Sequence, residues 1–111
     1  MRAMNDVINL MCVKTAKRVN GIPQTETAGT TEVFANISSV KRNEYYAADR
    51  EGVKLALSVY VNVEDFETAA VKDGEKKIMP SKVEYDGTVY RIYRTYRESD
   101  TTMELILQEV E

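Results

Sequence analysis

Leu55-Ala56-Leu57-Ser58-Val59-Tyr60-Val61-Asn62-Val63 decides the fold. Leu55, Leu57, Val59, Val61 and Val63 fall on one side at the two-residue period of a strand, with Ala56, Ser58, Tyr60 and Asn62 on the other. That is a strand with one face over a core, the habit of antiparallel sheets. Working outward, residues 82–85 and 88–96 flank Asp86-Gly87, a dipeptide suited to a type I′ hairpin turn because both positions need positive φ. Residues 102–110 make a last strand, with Met103, Leu105 and Leu107 facing inward. On the N-terminal side, residues 7–13 are a short apolar run, and in residues 32–37 Val33, Ala35 and Ile37 share one side.

Between the second and third of these strands lies the clearest helical segment, within residues 39–52. Ser39 and Asn43 are candidate N-caps, residues 44–51 hold no breaker, and Gly52 suits the C′ position. Residues 17–31 show no apolar period and hold Asn20-Gly21, Pro23 and four threonines, which predicts a long flexible loop after the first strand. Residues 64–72 can make a helical turn or two, ended by Asp73-Gly74. The expected fold is mainly β in a single domain, 1–111. It is a small antiparallel barrel of about six strands with one short α-helix inserted between strands two and three.

Composition narrows the function. Of 111 residues, 43% are hydrophobic and 30% charged, as in a globular chain, and the formal net charge is −3. Histidine is absent, which removes Ser-His-Asp and Cys-His nucleophile pairs. One cysteine, Cys12, builds neither an internal disulfide nor a zinc site, and its apolar surroundings read as a buried small hydrophobe. Glu64-Asp65 and the Asp49/Glu51 pair read as solvated surface, and no phosphate-binding glycine pattern occurs. No cofactor, metal or catalytic residue is expected. No run is long and apolar enough for a membrane span, no secretory signal is expected at the N-terminus, and synthesis in a reducing cytoplasm is expected. Tyr90-Arg91-Ile92-Tyr93-Arg94-Thr95-Tyr96-Arg97 interleaves aromatic and basic residues, as a single-stranded nucleic-acid binder of OB type would. On a strand of period two, however, neither face collects all the tyrosines or all the arginines.

Three stretches in order carry a family resemblance. Asp6-Val7-Ile8-Asn9-Leu10 opens the chain. Val33-Phe34-Ala35-Asn36-Ile37-Ser38-Ser39-Val40-Lys41-Arg42-Asn43-Glu44-Tyr45-Tyr46-Ala47-Ala48, followed by Gly52, makes a strand and helix. Glu84-Tyr85-Asp86-Gly87-Thr88-Val89-Tyr90-Arg91-Ile92-Tyr93-Arg94-Thr95-Tyr96 makes a hairpin. Together they resemble the head-tail joining proteins of tailed bacteriophages, also called head-tail adaptors, head-closure or stopper proteins. The chain departs from that pattern where many relatives carry a proline soon after the glycine matched by Gly52, at Val53-Lys54-Leu55, and in a longer segment 67–80. The resemblance implies a structural, non-enzymatic virion protein, made in the bacterial host cytoplasm. It would assemble as a ring under the portal, closing the DNA-filled head and offering a surface to tail-completion or tail proteins. Self-association in the particle is compatible with a monomer when free. Contact with packaged DNA would be passive and not sequence-specific. The loop residues Arg18, Asn20, Gly21, Ile22, Pro23 and Gln24 and the helix residues Arg42, Tyr45 and Arg50 are the candidate partner contacts.

Overall fold

The computed structural model describes residues 3–110, with the side chains of residues 16–18 outside that description. In chain order the elements are β1 (Asp6–Val19), β2 (Ile22–Ser38), α1 (Arg42–Arg50), β3 (Leu55–Asn62), α2 (Val63–Thr68), β4 (Val71–Asp73), β5 (Lys76–Ile78), β6 (Lys82–Tyr85), β7 (Thr88–Arg97) and β8 (Thr102–Glu109). Six antiparallel strands are hydrogen-bonded in a closed ring, in the order β1-β2-β3-β8-β7-β6, and β4 and β5 form a separate two-stranded sheet. The ring strands are the six expected from the sequence, but residues 7–13, an apolar run that reads as a strand buried on much of both faces, bury only the Ile8, Leu10 and Cys12 side and leave Val7 exposed. Their inward side chains fill the interior: Ile8, Leu10, Val33, Ala35, Val59, Val61, Val83, Leu105 and Leu107 are buried together, with Phe66 and Ala69 from the α2 segment.

The expected loop 17–31 is instead β-structure. β1 and β2 run on through it as one long hairpin, paired from Asp6 with Ala35 to Val19 with Ile22. The turn is Asn20-Gly21, with φ of 53° and 78°, the same positive-φ pair that Asp86-Gly87 supplies to the β6–β7 hairpin. The ring uses little of this hairpin, since β1 pairs with β6 over residues 9–11 and β2 with β3 over residues 35–38. The rest, which we call the arm, pairs with itself. Polar residues on both sides of its outer half hid it from an alternation test. Its base is fixed by packing. Cys12 is buried opposite Gly29 and donates its S–H to the Ala69 carbonyl at 3.2 Å. Val71 Cγ2 lies 2.6 Å from where a Cβ on Gly29 would stand, so Gly29 is what lets β4 approach the arm.

The single expected helix is α1, but a second helix, α2, opens the segment after β3. Val63 therefore starts a helix rather than ending a strand, and Asp73 ends β4 with Gly74-Glu75 turning the β4–β5 hairpin, rather than Asp73-Gly74 ending a helix. α1 begins at Arg42 with Lys41 as its N-cap residue and no side-chain cap, so neither Ser39 nor Asn43 serves as N-cap. Asn43 Oδ1 accepts from the Glu44 N–H at 2.9 Å instead. The C-terminal expectation holds. The Val53 N–H reaches the Ala48 carbonyl and the Gly52 N–H the Asp49 carbonyl, both at 3.0 Å, which is a Schellman closure. α1 docks on the outside of the ring, where Ala48, Leu55 and Ile106 are buried with Val40, Tyr45 and Val53 against them. Leu55 reaches this outer cluster because the β3–β8 register shifts between Leu55 and Leu57, which sends Leu55 to the face opposite Leu57.

Candidate interaction surfaces

The outer face of the ring carries a buried polar network built by strand register. Tyr60 lies opposite Glu104 across β3–β8, and Tyr96 lies opposite Glu104 across β8–β7; Ser58 and Arg94 both pair with Ile106, one step along the same face. Arg94 would point into the core at a strict two-residue period from Ile92. A bulge between Ile92 and Arg94 moves it to the outer face instead. Ser58 Oγ and Tyr60 Oη each donate to Glu104 Oε2 at 2.9 Å. Arg94 Nη2 donates to Glu104 Oε1 at 3.2 Å and to Glu44 Oε1 of α1 at 2.7 Å, and Arg94 Nε also donates to Glu44 Oε2. Burial pushes the Glu104 carboxyl up, but donation from Ser58, Tyr60 and Arg94 outweighs it and holds the group below the ordinary carboxylate value. The guanidinium is thus clamped between a ring strand and α1. A bidentate pair of this kind sets orientation as well as attraction.

This arrangement takes the Tyr90–Arg97 strand apart as a surface. Tyr90 and Ile92 pack on the core, Arg94 is held by two carboxylates, and Arg97 donates to the carbonyls of Ser99 and Asp100. Arg91, Tyr93, Thr95 and Tyr96 remain exposed.

The candidate contact residues fall in two places. Asn20, Gly21, Ile22, Pro23 and Gln24 are exposed at the arm tip, while the Arg18 side chain lies outside the described residues. Arg42 and Arg50 are exposed on α1, whereas Tyr45 is half-buried under the helix, with its ring edge-on to Tyr46 at 5.7 Å. The arm and the helix are separate sites, and nothing in the fold brings the two sets together. Two exposed apolar pairs stand out on the β1–β2 hairpin. Val19 and Ile22 are cross-strand neighbours at the tip, 57% and 60% exposed, and Val7 and Phe34 are cross-strand neighbours on the ring wall, 44% and 62% exposed. Beside the wall pair runs the row Glu32–Asn9–Glu84, in which Asn9 Nδ2 donates to Glu84 Oε1 at 3.1 Å.

Compared with protein-family models and with curated proteins, the chain matches none. Among the described residues no helix is long and apolar enough to cross a membrane, and no group of three or more metal-ligating side chains converges. Burial pushes the Cys12 thiol up, with a backbone hydrogen bond from Val71 pulling the other way. A thiol in that setting is a packing residue.

Sequence reasoning missed Glu44, Arg94 and Glu104 as a unit, and the exposed pair Val7–Phe34. Glu104 had a visible signal, being charged at one position of a strand whose other residues, Met103, Leu105, Ile106 and Leu107, are apolar. Phe34 had one as well. It alternates with Val33 and Ala35, so an inward Val33 requires an outward Phe34.

Proposed function

We propose that this chain is a structural connector of a tailed phage or prophage, one subunit of a ring that sits under the portal at the head-tail interface of the virion. There it would close the DNA-filled head and present a surface to the tail. The observation that carries the reading is the arm, a long two-stranded extension rooted in a small closed β-barrel and ending in an exposed apolar pair. A protruding element with little core of its own needs a partner surface to hold it, which is what a subunit built for docking requires. The resemblance supports the reading because its three stretches fall on β1, on β2 with α1, and on β6 with β7, whose strands are neighbours in the ring although separated along the chain. The work would be done by shape and contact, with order gained against neighbours offsetting the entropy lost.

Native mass spectrometry tests this directly, with the chain alone and with the portal assembly of the phage or prophage that encodes it. The expected result is a monomer when free and a ring of copies on the portal. Absence of any complex with that portal removes the reading. The alternative, a single-stranded nucleic-acid-binding barrel using the Tyr90–Arg97 strand, has Tyr93 and Tyr96 in its favour and the sequestration of Arg94 against it. A flat titration with single-stranded DNA at low salt dismisses it; a steeply salt-dependent affinity lost on Tyr93→Ala revives it.

A further inference from the structure

We infer that the arm tip of one copy, at Val19 and Ile22, docks on the Val7–Phe34 pair in the ring wall of a second copy. The inference rests on the self-association in the function proposed above, and it names the two surfaces that meet.

Each surface is an exposed apolar pair set by register, and each lies on the same two strands. That shared origin prevents a chain from satisfying itself. Val7 and Val19 are twelve residues apart along β1, about 40 Å at the rise of an extended strand, close to the longest dimension of the molecule, 45 Å. A hairpin extended over that length does not bring its own tip to its own base, so a tip that docks on a wall pair docks on the wall pair of another molecule. Charge points to a second copy. Of the chain's 15 basic and 18 acidic residues, the arm segment 13–27 contributes three basic (Lys14, Lys17, Arg18) and one acidic (Glu26). The arm is therefore net positive and the remainder of the chain net negative. The wall pair itself is bordered by Glu32 and Glu84. A positive arm with an apolar end thus meets a negative wall with an apolar centre.

Two different patches on one chain make a heterologous contact, which propagates head to tail and closes into a ring when the rotation permits. A strand-tip contact buries far less than the roughly 1,200 Å² of a stable interface. It is therefore weak for one pair of copies and cumulative in a ring, where every copy both gives an arm and receives one.

Cysteine pairing reads this geometry. Ile22→Cys and Phe34→Cys are both at exposed positions, and the buried Cys12 thiol does not compete. Mixed at several hundred micromolar under mild oxidation, the two variants should give a disulfide-linked heterodimer at least five-fold above either variant alone. Glu32→Lys on the Phe34→Cys chain should cut that yield several-fold. Equal yields in the single-variant samples, or no heterodimer, overturn the inference. Concentration-dependent NMR shifts of the unmodified chain supply a second readout that does not depend on the variants. Shifts at Ile22 together with Phe34 support the contact, and shifts at one alone or at neither overturn it. Portal binding without the cross-link would leave the connector reading standing and remove this contact; the cross-link without portal binding would do the reverse.

Discussion

At the scale of single residues, Arg94 is the side chain on which most depends. It neutralises Glu104 within the ring wall and Glu44 on α1, so its loss leaves a buried carboxylate with only two hydroxyl donors. Arg94→Met is expected to destabilise the fold by about 2 kcal/mol in urea unfolding. This is less than the ~3–5 kcal/mol of a fully buried broken pair, because the Arg94 side chain is 36% exposed. The same network sets a pH dependence. Glu104 lies below its ordinary value of 4.5 in the folded chain, so the unfolded chain binds the proton first as pH falls. The contribution is complete above about 4.5 and is lost as pH drops through the folded value. Glu104→Gln should flatten the decline of thermal stability below pH 4.5 while lowering stability at pH 7. A second residue test concerns Gly29, where a methyl group would meet Val71 Cγ2. Gly29→Ala should cost about 1–2 kcal/mol, and adding Val71→Ala should recover part of it, as a double-mutant cycle measures. Sequence reading singled out none of these three sites, although Glu104 carried a signal as the one charge in an apolar stretch of strand. Arg94 belonged to an apparent Tyr/Arg repeat, Glu104 to a run of strand residues, and Gly29 to a stretch without period. Each acquires its role from a neighbour more than forty residues away or ten residues across a turn.

Among the elements, those with one wet and one dry face could be read directly. Leu57, Val59 and Val61 against Ser58 and Tyr60, and Met103, Leu105 and Leu107 in β8, announce their faces by alternation. The Asp86-Gly87 turn announces its own geometry. The arm could not be read in this way, because every residue from Val19 to Thr27 is exposed, whichever face it lies on, and period two has nothing to alternate. Its β character rests on threonine content, on the Lys14–Glu26 ion pair at 3.3 Å, and on a turn that fits the twist of two strands. Bulges are the second illegible feature. One extra residue in β7 and one in β3 exchange the faces of Arg94 and Leu55, and both exchanges supply the outer surface on which α1 sits. The arm should therefore open locally. Amide exchange is expected to be fast at its tip and slow near Cys12 and Gly29, where α2 and β4 hold it.

For the molecule as a whole, ring and arm divide the tasks of stability and contact. The interior side chains come from the ring strands and the α2 segment, and among the described residues the outer half of the arm contributes none. Joining Lys14 to Glu26 through an Asn-Gly turn, in place of residues 15–25, is expected to change global stability by less than about 1 kcal/mol while abolishing the Ile22–Phe34 contact between copies. Circular dichroism and the cross-linking measurement check the two halves of that statement. The continuity of arm and ring has a mechanical consequence. β1 and β2 pass from the tip into the wall as unbroken strands, with register shifts between Cys12 and Val13 and between Ala16 and Val19, and in the wall they are bonded laterally to β6 and β3. Tension applied at the tip runs along both strands and loads those lateral ladders in shear, so their hydrogen bonds resist together. A loop joined at the same points would peel its bonds one after another, and would yield at a much lower force.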